Sequence, residues 1–185
     1  AEAAYHAGAA VTLVTGPVDL NPPVNVECVN VQSAEQMHSA VMANIENCDI
    51  FIATAAVADY RAEQVATQKI KKDETKLTLT FIKNPDILKD VANLERSPFT
   101  LGFAAETQHL EEYANKKLIN KKLDMIAAND VSAADIGFNS DKNALTILWQ
   151  SGKHTLPKAD KKSLAVNLID VLATQYNKKY LHGAD

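Results

Sequence analysis

The residues with the clearest chemical potential follow one another between positions 49 and 72. A carboxylate at Asp59 and a guanidinium at Arg61 come after a run of small residues, and lysines occupy positions 69, 71 and 72. Lysine ammonium groups stabilise the negative charge of phosphates and carboxylates when a protein holds them near one point. The pattern indicates a site for a small anionic ligand. A solvated charged loop without a ligand explains the spacing equally well, so both interpretations stay open at this stage.

The strand that must position these groups is the apolar run Ile50-Phe51-Ile52, which continues into Ala53-Thr54-Ala55-Ala56. An uninterrupted apolar run is typical of a central strand in a parallel sheet, where both faces are buried. Ligands of open α/β sheets bind beyond the carboxyl ends of the strands, where small residues let the backbone come close to the ligand. The ligand is therefore expected beside residues 53–56.

Two further strands end in the same way. Residues 100–105 and 124–128 are largely apolar runs that finish in alanines, and they open into Glu106-Thr107 and Asn129-Asp130. Because the carboxyl ends of parallel strands meet at one edge of a sheet, these polar residues are expected near the first strand end.

Two predicted helices carry more candidates toward this edge. Asn84-Pro85-Asp86 predicts a helix start capped by Asn84, with free backbone N–H groups that suit an anionic or polar ligand. A second helix, from about residue 108 to 122, projects Lys117 and Lys121 from one face because they are four residues apart. Ordinary capping and the helix dipole account for the same residues without any ligand, and that alternative also stays open.

The remaining pattern alternates strands with helices. We predict the tail of a helix closed by Gly8, strands over 11–15 and 24–31, a helix from Ser33 to about 46, a half-exposed strand over 76–81, a helix over 84–94, a hairpin near 145–156 and a final helix over about 159–176. This order predicts a three-layer, Rossmann-like α/β fold with a mostly parallel central sheet and a β-hairpin in its C-terminal half. Without a linker or repeat, residues 1–185 are interpreted as a single domain.

Composition narrows the functional classes. The net charge of −4 over 185 residues argues against general nucleic-acid binding, which needs a basic excess. Cys28 and Cys48 lack the spacing of a zinc site or a disulfide framework, and we interpret them as reduced cysteines of a cytoplasmic protein. The five histidines also lack metal-ligand spacing. No segment has the apolar length of a membrane span, and no signal peptide is recognisable, so we expect no membrane association.

Seven short motifs occur in order along the chain: AAVADYR (55–61), KIKK (69–72), KNPDI (83–87), GFAAET (102–107), EEYANKKL (111–118), ANDV (128–131) and GFNSDKNAL (137–145). As an ordered set they resemble phosphopantothenoylcysteine synthetase, the CoaB domain that forms the C-terminal half of the bacterial bifunctional coenzyme A biosynthesis protein CoaBC, or Dfp. The resemblance covers essentially the whole chain from Val11 to about Tyr176.

The resemblance implies a ligase that joins 4′-phosphopantothenate to L-cysteine with CTP as the activating nucleotide. The carboxylate of the substrate attacks the α-phosphorus of CTP, which gives an acyl-cytidylate and pyrophosphate, and the cysteine amine then displaces CMP to form an amide. The reaction concentrates negative charge, so the resemblance also implies Mg²⁺ and lysines at the site.

The same resemblance implies roles for individual residues. Lys69 matches the family lysine tied to formation of the acyl-cytidylate, and it is expected to stabilise charge at the α-phosphate as well as to bind nucleotide. Asn129 is a candidate for the substrate. The other expected nucleotide-binding residues are Ala53, Thr54, Ala55, Asp59, Pro85, Asp86, Ile87, Leu88, Phe103, Lys117 and Lys121.

Two departures from the family pattern affect the expected activity. The family carries, ahead of the first helix, a glycine-containing loop of the form N-x-S-S-G-K-M-G and the strand before it, and this sequence begins after that loop. A chain truncated there is expected to bind CTP in part but not to complete the reaction. The segment after KIKK is also shorter than the family flap. The resemblance further implies a homodimer and, in bifunctional members, a fused decarboxylase domain that alone carries FMN.

Two other functions fit parts of the sequence. A Rossmann-type NAD(P)-dependent oxidoreductase fits the predicted fold, although no G-x-G-x-x-G motif is present in the chain. A non-catalytic nucleotide-binding module fits the missing amino-terminal loop. Nucleotide preference separates the ligase from the oxidoreductase, and product formation separates the ligase from the binding module.

Overall fold

The fold was described from a computed structural model, which describes residues 1–66, 68–70, 77–106, 108–130 and 141–181. Within these ranges helices alternate with groups of one to three strands. In chain order they are α1 (Glu2–His6), β1 (Thr12–Thr15), β2 (Glu27–Asn30), α2 (Ala34–Asn44), β3 (Ile50–Ala53), β4 (Tyr60–Ala62), β5 (Phe81–Lys83), α3 (Ile87–Ala92), β6 (Phe99–Glu106), α4 (Leu110–Asn120), β7 (Met125–Asp130), β8 (Lys142–Trp149), β9 (Gly152–Asp160) and α5 (Lys161–Tyr180).

The central sheet has the strand order β3-β6-β7-β8-β9. Strands β3, β6 and β7 are parallel, whereas β8 and β9 form the predicted hairpin and pair antiparallel. Two smaller sheets are separate from it: β1 pairs with β2 in parallel, and β4 with β5 as an antiparallel ribbon. The predicted α/β fold class with its C-terminal-half hairpin is confirmed.

Helices cover the central sheet on both faces because side chains alternate along each strand. On one face, Leu101 and Met125 pack with Leu164, Leu168 and Leu172 of α5. On the opposite face, the buried cluster includes Ala104, Ile126, Ala128, Ala114 and Leu118, with Leu88 packed against it. The buried apolar residues of β6 and β7 therefore divide into two cores, with α5 on one side and α3 and α4 on the other.

Local signals in the sequence fix several helix ends. The hydroxyl oxygen of Ser33 accepts a hydrogen bond from the Gln36 N–H at 3.2 Å, and the Gln36 side chain accepts one from the Gln32 N–H at 2.7 Å. These bonds satisfy donors that a helix start otherwise leaves free. Gly8, with φ of +92°, follows α1 in the left-handed conformation that favours glycine.

The predicted half-exposed strand over 76–81 is wrong for the part that the structure describes. Strand β5 begins at Phe81, and residues 77–80 lie outside any strand. The apolar side chains of this alternating pattern do not face a core, since Leu77 and Leu79 are 66% and 52% exposed. Its partner strand, β4, spans three residues. Strand β2 is also shorter than predicted and begins after Asn25, which has a φ of 61°.

The end of α5 is fastened to the edge of the sheet where the parallel strands begin. The ammonium group of Lys179 donates to Asp124 Oδ1 at 2.6 Å, and Asp124 Oδ2 accepts from the backbone N–H of Thr100 at 2.9 Å. Burial lowers the pKa of Lys179, but the hydrogen bond and charge of Asp124 outweigh it, so the net shift is upward. We call Thr100, Asp124 and Lys179 the latch. Among the described helices, α5 included, none has the length and apolar content needed to cross a membrane.

Candidate functional site

The carboxyl ends of β3, β6 and β7 meet at one edge of the sheet. Ala53, the last residue of β3, pairs with Gly102, and β6 then continues to Glu106. Ala105 pairs with Asn129 near the end of β7. The ends of β6 and β7 thus lie together, β3 ends four residues earlier on the same side of the sheet, and Thr54 and Ala55 lie exposed just beyond it. This edge is where a ligand of an open α/β sheet is expected.

The start of α3 lies beside the loop that follows β3. The backbone N–H of Asn84 donates to the carbonyl oxygen of Asp59 at 2.9 Å, which joins the two segments. Leu88 packs directly over β6, because a β-carbon at Gly102 would lie 2.7 Å from Leu88 Cδ2. The absence of a side chain at Gly102 therefore lets α3 approach the sheet closely at the candidate site.

The residue that caps α3 is Asp86, so the prediction of Asn84 as the cap is wrong. Asp86 Oδ1 accepts a hydrogen bond from the Lys89 N–H at 3.2 Å. The side chain of Asn84 is turned away from the helix because it donates to the carbonyl oxygen of Ala58 at 2.8 Å and accepts from Arg61 at 3.2 Å. The side-chain amide that the sequence pattern assigned to helix capping is thus held by two residues that are distant in sequence.

Two lysines at the C-terminal end of α4 reach the same edge, Lys117 in the last turn and Lys121 as the C-cap residue. Lys117 Nζ lies 2.7 Å from Glu106 Oε1 at the end of β6, and Lys121 Nζ lies 2.8 Å from Asp86 Oδ2 at the start of α3. Both lysines project from one face of α4, as their four-residue spacing predicts. Each lysine is paired with a carboxylate, and that carboxylate lies on a strand or a helix start of the candidate site. An anionic ligand that binds at this edge can therefore replace the two carboxylates as the partner of ammonium groups that are already in position.

Phe103 and Asn129 lie on the other face of the sheet. Phe103 packs against the core beneath α5, and its register partner Ala127 belongs to the same core. Asn129 is two residues beyond Ala127, so the alternation of the strand places it on this face as well. The candidates consequently form two groups at one edge, with Lys117 and Lys121 on the α4 side and Phe103 and Asn129 on the α5 side.

Lys69 is exposed between β4 and β5, and Lys71 and Lys72 lie outside the described residues. The contacts that Asn84, Arg61 and Glu106 make at this edge were not predicted from the sequence. The sequence signal for Glu106 was its place directly after a small-residue strand end. The partners of Asn84 and Arg61 are distant in sequence and carry no local signal.

A separate cleft of about 390 Å³ lies between α4 and the β8–β9 hairpin. Its lining includes two acidic residues, Glu111 and Glu112. Glu111 already pairs with Lys153 at 2.7 Å. None of the residues expected to bind nucleotide or substrate lines this cleft, so the carboxyl edge of β3, β6 and β7 remains the candidate site.

Comparisons with known proteins agree with the motifs. The family model described as the DNA/pantothenate metabolism flavoprotein C-terminal domain matches residues 1–176. The chain is 55% identical to the coenzyme A biosynthesis bifunctional protein CoaBC of Vibrio cholerae, over 95% of this chain and 45% of that protein. It is 50% identical to the protein of the same name from Escherichia coli K12, over 97% of this chain and 45% of that protein. The chain spans about half the length of the curated relatives it matches.

Solved structures show the same fold. The C-terminal domain of a coenzyme A biosynthesis bifunctional protein CoaBC aligns with a TM-score of 0.79 and 36% identity, over 96% of this chain and 80% of that one. The DNA/pantothenate metabolism flavoprotein from Streptococcus pneumoniae aligns with a TM-score of 0.76 over 94% of this chain and 84% of that one; at 20% identity it supports the fold alone. The resemblance predicted from the seven motifs is confirmed, and the chain belongs to the family of DNA/pantothenate metabolism flavoprotein C-terminal domains.

Proposed function

We propose that this chain is the CTP-dependent phosphopantothenate–cysteine ligase domain of a coenzyme A biosynthesis protein, with residues 1–185 forming one domain. The observation that carries the proposal is the pair of α4 lysines, Lys117 and Lys121, which carboxylates hold at the edge where β3 and β6 end. Relatives named for coenzyme A biosynthesis cover almost the whole chain at 50% identity or more. Anchored cations beside small-residue strand ends are what a reaction between a carboxylate and a triphosphate requires.

The proposed nucleotide site joins three segments. Backbone groups of residues 53–55 approach the nucleotide closely, Asp59 lies on the following loop, and residues 85–88 form the start of α3. Lys117 and Lys121 then exchange their carboxylate partners for phosphate oxygens. Phe103 and Asn129, on the other face of the sheet, contribute to the same edge, and Asn129 faces the substrate.

Two chemical steps follow. The phosphopantothenate carboxylate forms a bond to the α-phosphorus of CTP, and the bond to the bridging oxygen breaks to release pyrophosphate. The cysteine amine then attacks the acyl carbon, loses a proton, and CMP leaves as the amide forms. Lys69 stabilises the charge that develops at the α-phosphate, which lowers the barrier of the first step.

Mg²⁺ is proposed to enter together with the nucleotide. Among the described residues, no group of three or more His, Cys, Asp or Glu side chains is arranged to hold a metal ion. Mg²⁺ is commonly bound through substrate phosphates with one or two carboxylates, so Asp86 or Glu106 would supply the protein ligand once the lysines have moved to phosphate. When bound, the ion supplies further neutralisation of the triphosphate.

A calorimetric titration with CTP, ATP and NAD in the presence of Mg²⁺ tests the nucleotide assignment. Selective CTP binding is expected, whereas binding of NAD without CTP contradicts the ligase and favours the oxidoreductase. If the chain binds none of the three nucleotides, the titration is repeated with a chain that carries the glycine-containing loop. Absence of CTP binding in that titration as well contradicts the proposal.

The role of Lys69 has its own test. In the full-length protein, Lys69→Gln is expected to slow pyrophosphate release from CTP and phosphopantothenate by about 100-fold or more, because a preorganised charge is lost from the first step. Lys178→Gln is the matched control, since Lys178 is an exposed lysine in the last turn of α5, remote from the site. Pyrophosphate release at the normal rate from the Lys69 variant would show that another group stabilises the α-phosphate.

We also propose the wider setting of the domain. The matched relatives are about twice as long as this chain and are named as bifunctional, which supports fusion to a phosphopantothenoylcysteine decarboxylase domain carrying FMN. Free Cys28 and Cys48 agree with a reducing, cytoplasmic location. A homodimer is proposed, and the exposed apolar side chains of Val65, Leu79 and Phe81 around the β4–β5 ribbon support it.

A further inference from the structure

Asn84 binds two consecutive residues of the loop that follows β3. Its side-chain Nδ2 donates to the carbonyl oxygen of Ala58 at 2.8 Å, and its backbone N–H donates to the carbonyl oxygen of Asp59 at 2.9 Å. Asn84 immediately precedes Pro85 and Asp86, which begin the segment that leads into α3. Asn84 thus extends the β4–β5 ribbon by two further bonds, which join the loop to the segment that leads into α3.

Arg61 determines which way the Asn84 amide points. Its Nη1 donates to Asn84 Oδ1 at 3.2 Å and to the carbonyl oxygen of Lys83 at 2.9 Å. Because arginine offers donors alone, it must face the amide oxygen, which leaves the NH₂ group for Ala58. The other arm, Nη2, donates to Glu35 Oε1 of α2 at 2.7 Å, so the guanidinium is held from two sides. The rigid fork of arginine suits this arrangement better than lysine.

We propose that Asn84 is a positioning residue of the nucleotide site, oriented by Arg61, that holds Asp59 and the start of α3 at the separation the nucleotide requires. This inference rests on the proposed function, since it assumes that both segments bind the nucleotide. Asn84 acts through its hydrogen bonds to the loop and not by contact with the reacting atoms. Displacement of a binding segment by about 1 Å is enough to change binding or rate substantially.

The test compares two substitutions of Asn84 in the full-length protein. Asn84→Ala removes both side-chain bonds, and Asn84→Asp keeps the size and the pairing with Arg61 but lacks the NH₂ donor to Ala58. Both variants are expected to raise the KM for CTP about 10-fold or more while kcat changes less than about 3-fold, because the loss falls on nucleotide positioning. Hydrogen exchange of the peptide covering residues 54–62 is expected to quicken in both.

Asn93→Ala is the matched control. Asn93 Nδ2 donates to the carbonyl oxygen of Lys89 at 2.7 Å, which is the same kind of bond at the far end of α3. This variant is expected to leave the KM for CTP and the exchange of residues 54–62 unchanged.

Three results overturn the inference. The first is an unchanged KM for CTP in folded Asn84→Asp protein, and the second is an equal rise in KM in the Asn93 control. The third is unaltered exchange of residues 54–62 in either Asn84 variant, since this readout needs no nucleotide. Absence of CTP-dependent turnover in the wild-type protein instead contradicts the proposed function. In that case the Asn84 variants would still show quickened exchange of residues 54–62, and the wild-type protein would use another nucleotide at a normal rate.

Discussion

Removal of the Asp124 carboxylate should destabilise the fold without touching the candidate site. In Asp124→Ala the backbone N–H of Thr100, a residue that is 1% exposed, loses its acceptor. An unsatisfied buried donor costs about 1–3 kcal/mol. The ion pair with Lys179 contributes less, about 0.5–1 kcal/mol, because 43% of the lysine side chain remains exposed. The free energy of unfolding should fall by about 1.5–4 kcal/mol in total.

Asp124→Asn separates the two contributions. The amide keeps an acceptor oxygen for Thr100 but removes the charge that holds Lys179, so the expected loss is about 0.5–1 kcal/mol. Urea denaturation of wild type, Asp124→Asn, Lys179→Met and the double variant gives the coupling between the two side chains. A loss below about 0.5 kcal/mol for Asp124→Ala, or equal losses for the Ala and Asn variants, would refute the assigned role of the Thr100 N–H bond.

The latch also has a defined pH dependence. The pKa of Lys179 is raised above its usual value of 10.5 in the folded protein, so the unfolded chain loses this proton first. The stabilisation is therefore complete below that value and is lost as the pH rises through the folded pKa. Wild type and Lys179→Met should converge in stability at strongly alkaline pH.

Two further substitutions test other contacts. Gly102→Ala places a β-carbon 2.7 Å from Leu88 Cδ2 and 3.0 Å from Leu123 Cδ1, both ends of mobile side chains, so unfolding in urea should show a loss of about 1–2 kcal/mol. A stabilised Gly102→Ala variant would contradict the close packing of α3 on β6. Asp160 caps α5, and its hydrogen bonds from the Ser163 hydroxyl and N–H lower its pKa from 3.8. The stabilisation by Asp160 is present above that value and lost as the pH falls through the folded pKa, so the difference in Tm between wild type and Asp160→Ala should shrink in acid.

Local patterns predicted most of the fold because they depend on neighbours in sequence. The pair Ser33 and Gln36 predicted a helix start, and residues 145–156 predicted a hairpin. The apolar run at Ile50 predicted a strand correctly, but its placement as a central strand buried on both faces was wrong, since β3 is half-buried at the edge of the five-stranded sheet. The strand predicted over 76–81 failed because period-two alternation says nothing about whether a core is available to cover Leu77 and Leu79.

The sequence predicted the position of the candidate site better than it predicted the contacts between the residues of the site. The small-residue ends of β3, β6 and β7 placed it at one edge, and the spacing of Lys117 and Lys121 placed both on one helix face. The sequence could not predict that α3 is capped by Asp86 and not by Asn84. The side chain of Asn84 forms hydrogen bonds with Ala58 and Arg61 instead of with the helix start. A cap pattern cannot weigh bonds made to residues more than 20 positions away.

The latch at Asp124 has a practical consequence for experiments on this protein. It holds the last turn of α5 at the edge of the sheet where β7 begins, whereas Asn129 lies near the opposite end of that strand. At about 3.3 Å per residue, roughly 16 Å of strand separates the two edges. A fluorophore or surface tether attached at Leu181, which is 66% exposed, would therefore leave the approach to the nucleotide edge clear. Immobilised protein of this kind is suited to following ligand arrival and departure in real time.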